Sequence, residues 1–133
     1  MLRGKEFIFP PLRIPAIHNS VEIRKSEEQG ATLLALEGEI DLHASPRLRE
    51  ALQEIAESKA EVLLVDFSDV KYIDSSGLAT LVEYVRESKA FNGRLALFGL
   101  QPKVKMVFEL VRLNELFTIA DTKENALAAL SAG

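Results

Sequence analysis

Val62-Leu63-Leu64-Val65-Asp66-Phe67-Ser68-Asp69-Val70-Lys71-Tyr72-Ile73-Asp74-Ser75-Ser76-Gly77-Leu78 is the stretch on which the fold turns. Val62 to Val65 is a continuous apolar run, the signature of a strand buried on both faces. Asp69 to Gly77 reads as a loop, after which Leu78, Leu81, Val82 and Val85 recur at helical spacing. Asn92-Gly93 ends that helix, since both residues tolerate the left-handed conformation of a C-cap. Arg94 to Leu100 is a second strand. Strand, helix and strand in that order make a βαβ unit, which crosses over right-handed and leaves its strands parallel.

Toward the N-terminus, Val21-Glu22-Ile23-Arg24-Lys25 alternates as a half-buried strand does, and Glu28-Gln29-Gly30 is turn-like. Ala31 to Ile40 reads as the other strand of a hairpin. Ser45-Pro46 predicts a helix start, a capping hydroxyl followed by a proline whose missing amide costs nothing there. Leu48, Leu52 and Ile55 then form one apolar stripe. Toward the C-terminus, Pro102 opens a helix with Val104, Val107, Phe108 and Val111 inward, and Phe117 to Ala120 is a short strand or turn. Asp121-Thr122-Lys123-Glu124 resembles a capping box ahead of a last helix carrying Leu127 and Leu130. The fold class is α/β, a single domain with a mixed central β-sheet and helices packed on it.

Length and composition fit that architecture. The 133 residues are 47% hydrophobic and 27% charged, which is ordinary globular usage for one domain. There is no cysteine, so disulfides, thiolate metal sites and Cys nucleophiles are excluded, and the two histidines, His18 and His43, are too few and too far apart for a zinc site. Three of the five prolines (Pro10, Pro11 and Pro15) crowd residues 1–20, which predicts an extended N-terminal arm ahead of a domain over 21–133. Arg3, Lys5 and Arg13 against Glu6 give that arm +2, leaving −6 on the rest of a −4 chain. Phe7-Ile8-Phe9 predicts that the arm docks, on the domain or on a second copy as a homodimer. The acidic balance points away from nucleic acid, which calls for a basic patch. No apolar run approaches the ~20 residues of a membrane span, and prolines cut the N-terminal run short of a signal core. No membrane partner is expected, and the default address is the cytoplasm.

The chemistry sits in Asp74-Ser75-Ser76-Gly77, two hydroxyls and a carboxylate at a helix N-terminus. One reading is a cap, because Asp and Ser oxygens accept from amides that lack a partner in the helix. The other is a phosphorylation site on Ser75. Free amides and the positive end of the helix would tolerate the phosphate, while its charge of about −1.5 to −2 beside Asp74 would repel a partner fitted to the bare surface. A hydrolase using Ser75 with His18 or His43 lacks the Gly-x-Ser-x-Gly elbow. Glycine-rich phosphate loops are absent as well, so no cofactor is expected. Arg47, Arg49, Glu50, Glu54 and Glu57 read most simply as a solvated face of the first helix, and equally as the rim of a partner interface.

Gly38-Glu39-Ile40-Asp41, the strand ending Val65-Asp66-Phe67 and Ile73-Asp74-Ser75-Ser76-Gly77-Leu78 together resemble STAS domains, and among them the bacterial anti-sigma factor antagonists. The resemblance spans about residues 21–130, including Gly93-Arg94-Leu95 and the Val104-x-x-Val107-Phe108 helix. It implies a non-enzymatic signal-transduction protein whose activity is protein–protein interaction. Unphosphorylated, such a protein binds an anti-sigma factor that is also a serine kinase, freeing the sigma factor and so regulating transcription. The kinase phosphorylates the first serine, here Ser75, the phosphoprotein is released, and a phosphatase restores it. By position, Asp74, Ser76 and Gly77 line the acceptor loop, and Asp41, His43 and Ala44 form an adjoining contact loop. Ala44-Ser45 stands where the family often carries Thr, and the arm is longer than a minimal domain needs. The rival that the resemblance leaves open is a non-switching STAS subunit of a transport or signalling scaffold complex.

Overall fold

The computed structural model describes residues 21–132. The arm expected over 1–20, its docking segment and His18 lie outside the described residues. Within them the order is β1 (Glu22–Glu28), β2 (Ala31–Ile40), α1 (Ser45–Glu57), β3 (Val62–Ile73), α2 (Ser75–Ser88), β4 (Arg94–Phe98), α3 (Pro102–Leu110), β5 (Thr118–Ala120) and α4 (Lys123–Ala132). Neighbours in sequence are neighbours in the five-stranded sheet, ordered β1-β2-β3-β4-β5. β1 and β2 pair antiparallel, and every later pair is parallel. Each parallel pair is joined through a helix, as parallel connections require.

The hairpin turns on Gln29 and Gly30, both at positive φ (53° and 81°), the combination a two-residue turn needs to match strand twist. Alternation along the strands then sorts side chains to opposite faces. Leu34, Leu36, Leu63, Val65, Phe67, Leu95 and Leu97 point to one side. There they meet Leu48, Leu52 and Ile55 of α1, Leu78, Leu81 and Tyr84 of α2, and Val104 and Phe108 of α3 in the larger core. Phe108 stands edge-on between Phe67 and Phe117, with centroids 6.0 and 5.6 Å away. Ala31, Leu64, Ala96 and Phe98 point to the other side, where, among the described residues, α4 packs on them through Ala126 and Leu130.

Three details depart from the sequence reading. β3 continues eight residues past Val65, to Ile73, so most of the expected 69–77 loop is strand. The β2–β3 register slips twice, between Ala35 and Glu37 and between Gly38 and Glu39, each time with an extra residue in β3. Those bulges space Phe67, Val70 and Ile73 three apart on the buried side, so the two-residue alternation of a strand is hidden. Ser45 does not cap α1: the N-cap is Ala44, and Ser45 is buried inside the first turn. Val111, expected inward, is the C-cap of α3 and is half exposed. α4 does start on a side-chain cap, with Thr122 Oγ1 accepting from the Asn125 amide at 3.1 Å.

Candidate functional site

β2 and β3 end side by side, with Ile40 opposite Ile73. The Asp74 amide donates to the Ile40 carbonyl at 3.2 Å, which locks the two turns together where the strands stop. Sites on α/β folds gather at this end, beyond the carboxyl ends of parallel strands.

Asp74 is the N-cap of α2, in extended backbone conformation. Its Oδ1 accepts from the Ser76 amide at 2.9 Å, the Gly77 amide at 3.3 Å and the Ser76 hydroxyl at 2.7 Å. Partial burial would raise the pKa of this carboxyl. The Ser76 hydroxyl, the Gly77 and Ser76 amides and the Leu42 amide all favour the charged form, and together they hold it below its ordinary value. Asp74 is therefore ionised at neutral pH and also joins α2 to the turn at the end of β2.

The two serines are neighbours in chain and differ in commitment. Ser76 is half-buried and spends its hydroxyl on Asp74. Ser75 is the first residue of α2, is exposed, and its hydroxyl has no hydrogen-bond partner among the described residues. Gly77 is buried between the turns. A Cβ there would come within 2.7 Å of Ile40 Cγ2, 2.9 Å of Ile73 Cγ1 and 3.1 Å of the Ile40 carbonyl oxygen. The packing reason for this glycine is thus the closeness of α2 to both strand ends.

The contact loop is built on Asp41, whose Oδ1 accepts from the His43 and Ala44 amides at 3.0 Å each. Its carbonyl accepts from the Ala44 and Ser45 amides at 3.0 and 2.9 Å. Asp41, His43, Asp74, Ser75 and Ser76 share this end of the sheet with at least part of their surface exposed, whereas the Ala44 side chain is buried and Gly77 is inaccessible.

Two features went unread in the sequence. Leu42 is 68% exposed between Asp41 and His43. Arg49, expected to be solvated, bridges α1 to α2: its Nε donates to Glu83 at 3.1 Å and its Nη2 to Thr80 Oγ1 at 3.5 Å. Thr80, buried in the apolar stripe of α2, in turn donates to the Ser76 carbonyl at 2.9 Å. A threonine on an apolar helical face was the one sequence signal for that link. Among the described residues no group of three or more His, Cys, Asp or Glu could hold a metal, and no helix is long and apolar enough to cross a membrane.

The model of the STAS domain family matches residues 22–126. This chain belongs to the STAS domain family. The anti-sigma-B factor antagonist of Bacillus subtilis is 31% identical over 108 residues, covering 81% of this chain and 96% of that protein. A solved anti-sigma factor antagonist from Mycobacterium paratuberculosis superposes with a TM-score of 0.77 at 24% identity, covering 83% of this chain and 93% of that one. The Bacillus cell fate determinant SpoIIAA in its phosphorylated form gives 0.63 at 24% identity, covering 81% and 98%. The STAS fold expected from the sequence is the one observed, and the curated relatives of this STAS domain are anti-sigma factor antagonists.

Proposed function

We propose that this STAS domain is an anti-sigma factor antagonist switched at Ser75. Unphosphorylated, it binds an anti-sigma factor that is also a serine kinase, so that sigma-factor-dependent transcription proceeds. Phosphorylation of Ser75 releases it, and a phosphatase returns it to the binding state. One observation carries the choice of residue: Ser75 offers an exposed, uncommitted hydroxyl, while that of Ser76 is held by Asp74 at 2.7 Å.

The switch acts by charge, without refolding. The Ser76 and Gly77 amides already bind the Asp74 carboxylate, so they are not free to take up a phosphate as the sequence had suggested. A Ser75 phosphate stays outside the helix start, beside an ionised Asp74. It adds about −1.5 to −2 charges to a surface that a partner must desolvate. Neither strand nor helix has to move for binding to be lost.

Incubation with the anti-sigma factor kinase of the same cell and ATP, then intact-mass analysis, tests this. The expected result is one added phosphate, lost in Ser75→Ala and kept in Ser76→Ala. Phosphate persisting in Ser75→Ala, or absent from every serine, overturns the assignment.

A further inference from the structure

Leu42 is exposed over 68% of its surface in a loop that is otherwise tightly held. Asp41 binds the amides of His43 and Ala44 through its carboxylate, and those of Ala44 and Ser45 through its carbonyl. Leu42 therefore sits in a turn closed by Asp41, while its side chain is left largely in water. In the two turns it occupies the position after Asp41 that Ser75 occupies after Asp74, and the turns are joined through the Ile40–Ile73 rung. A leucine on a rigid backbone beside a polar site loses little entropy when a partner covers it, which is the economy of a preorganised contact.

We propose that Leu42 is the apolar anchor of the antagonist, received by an apolar pocket on the anti-sigma factor kinase when Ser75 carries no phosphate. The inference rests on the reading of Ser75 as the switch and adds a recognition residue to it. It also supplies a physical link between binding and modification. Seating Leu42 requires water to leave the joined turns, Ser75 included. A neutral hydroxyl can be desolvated for the cost of one hydrogen bond, whereas a phosphate resists losing its hydration far more strongly. Anchor and switch are thus coupled through the same dry contact.

Titration calorimetry with the anti-sigma factor kinase of the same cell tests the anchor. The variants are Leu42→Ser, Leu42→Met, Leu110→Ser, Ser75→Asp and the Leu42→Ser/Ser75→Asp double. Leu42→Ser is expected to weaken binding about tenfold or more, as losing a buried leucine contact does, with an unchanged melting temperature. Leu42→Met restores most of the affinity. Leu110→Ser, at a residue 75% exposed on the end of α3, leaves it intact. Ser75→Asp costs less in the Leu42→Ser background than in the wild type, because the contact it disrupts is already gone. Equal binding by Leu42→Ser and wild type, an equal loss in Leu110→Ser, full additivity in the double variant, or a lowered melting temperature in Leu42→Ser overturns the anchor and leaves the Ser75 switch standing. Failure of the wild-type chain to bind the kinase overturns the switch reading and the anchor together.

Discussion

Asp41 closes β2 and Asp74 closes β3, and each carboxylate accepts from the amides two and three residues further on. The two turns lead into their helices differently. Asp74 caps α2 directly and also takes the Ser76 hydroxyl, while α1 starts at Ser45, four residues after Asp41, behind Ala44 as an N-cap that makes no side-chain hydrogen bond. The same local device therefore serves two ends. After β3 it is part of the structural joint between helix and sheet; after β2 it only shapes a loop. Each turn holds up an exposed side chain next to its aspartate, Ser75 after β3 and Leu42 after β2.

The largest effect on this contrast comes from the residue that presses the joint closed. Gly77→Ala puts a methyl group against Ile40 and Ile73, the rung that unites both turns, at distances no real Cβ tolerates. The expected cost is about 1–3 kcal/mol, as for other overpacked sites, read from the midpoint of urea unfolding. A midpoint equal to wild type would mean that α2 has room to spare at the strand ends.

Next comes a direct contest between the two aspartates. Asp74→Ala removes an N-cap and one further hydrogen bond, from the Ser76 hydroxyl, at an expected cost of about 1–2 kcal/mol. Asp41→Ala removes a loop contact alone and is expected to cost under about 1 kcal/mol. Reversal of that order in thermal unfolding would break the distinction between joint and loop. Asp74 also leaves a mark on pH dependence. Its folded pKa lies below the ordinary 3.8 it regains on unfolding, so its contribution is present above that value. The contribution is lost as the pH falls through 3.8 and then through the lower folded value. Asp74→Asn should flatten the stability profile in that window relative to wild type.

Much of this was legible in the sequence, and the misses have physical causes. Apolar runs and stripes located the β3–α2–β4 unit, the hairpin and the inner face of α1, because burial there follows a simple period. The far half of β3 escaped because two bulges turn its buried residues to a spacing of three, at Phe67, Val70 and Ile73. Ser45 looked like a cap because of Pro46, yet the Asp41 carbonyl already takes the Ser45 amide and draws the residue into the helix. A helix cap and a phosphorylation site were both read from Asp-Ser-Ser-Gly, without a choice of the capping side chain; the structure gives the cap to Asp74 and leaves Ser75 exposed. The choice between the serines came there from family resemblance, and the structure adds the hydrogen bond that commits Ser76. Arg49 and Leu42 carried no periodic signal, and Thr80 only its place on the apolar face of α2, since each acts across elements distant in sequence or across a turn.

A smaller effect is expected from the hydroxyl that belongs to the joint. Ser76→Ala loses the 2.7 Å hydrogen bond to Asp74 but leaves both amides on the carboxylate. The expected cost is about 0.5–1.5 kcal/mol, the usual net worth of one hydrogen bond, seen as a modest fall in melting temperature. Phosphate uptake should continue at Ser75 in this variant, so stability and modification part company at adjacent residues.

The smallest stability effect belongs to Ser75, and there the contrast is sharpest. Its side chain has no hydrogen-bond partner among the described residues and stands in solvent, so Ser75→Ala should stay within about 0.5 kcal/mol of wild type. Ser75→Asp places a negative charge in the first turn of α2, where the helix dipole favours it, but next to ionised Asp74, which opposes it. The two terms are of similar size and opposite sign at an exposed position, so the melting temperature should barely move. Partner binding, measured on the same sample, should fall sharply, because the partner must strip water from both carboxylates at once. A large drop in melting temperature would make Ser75 a part of the joint after all, and its exposure at the helix start would then be incidental to any switch.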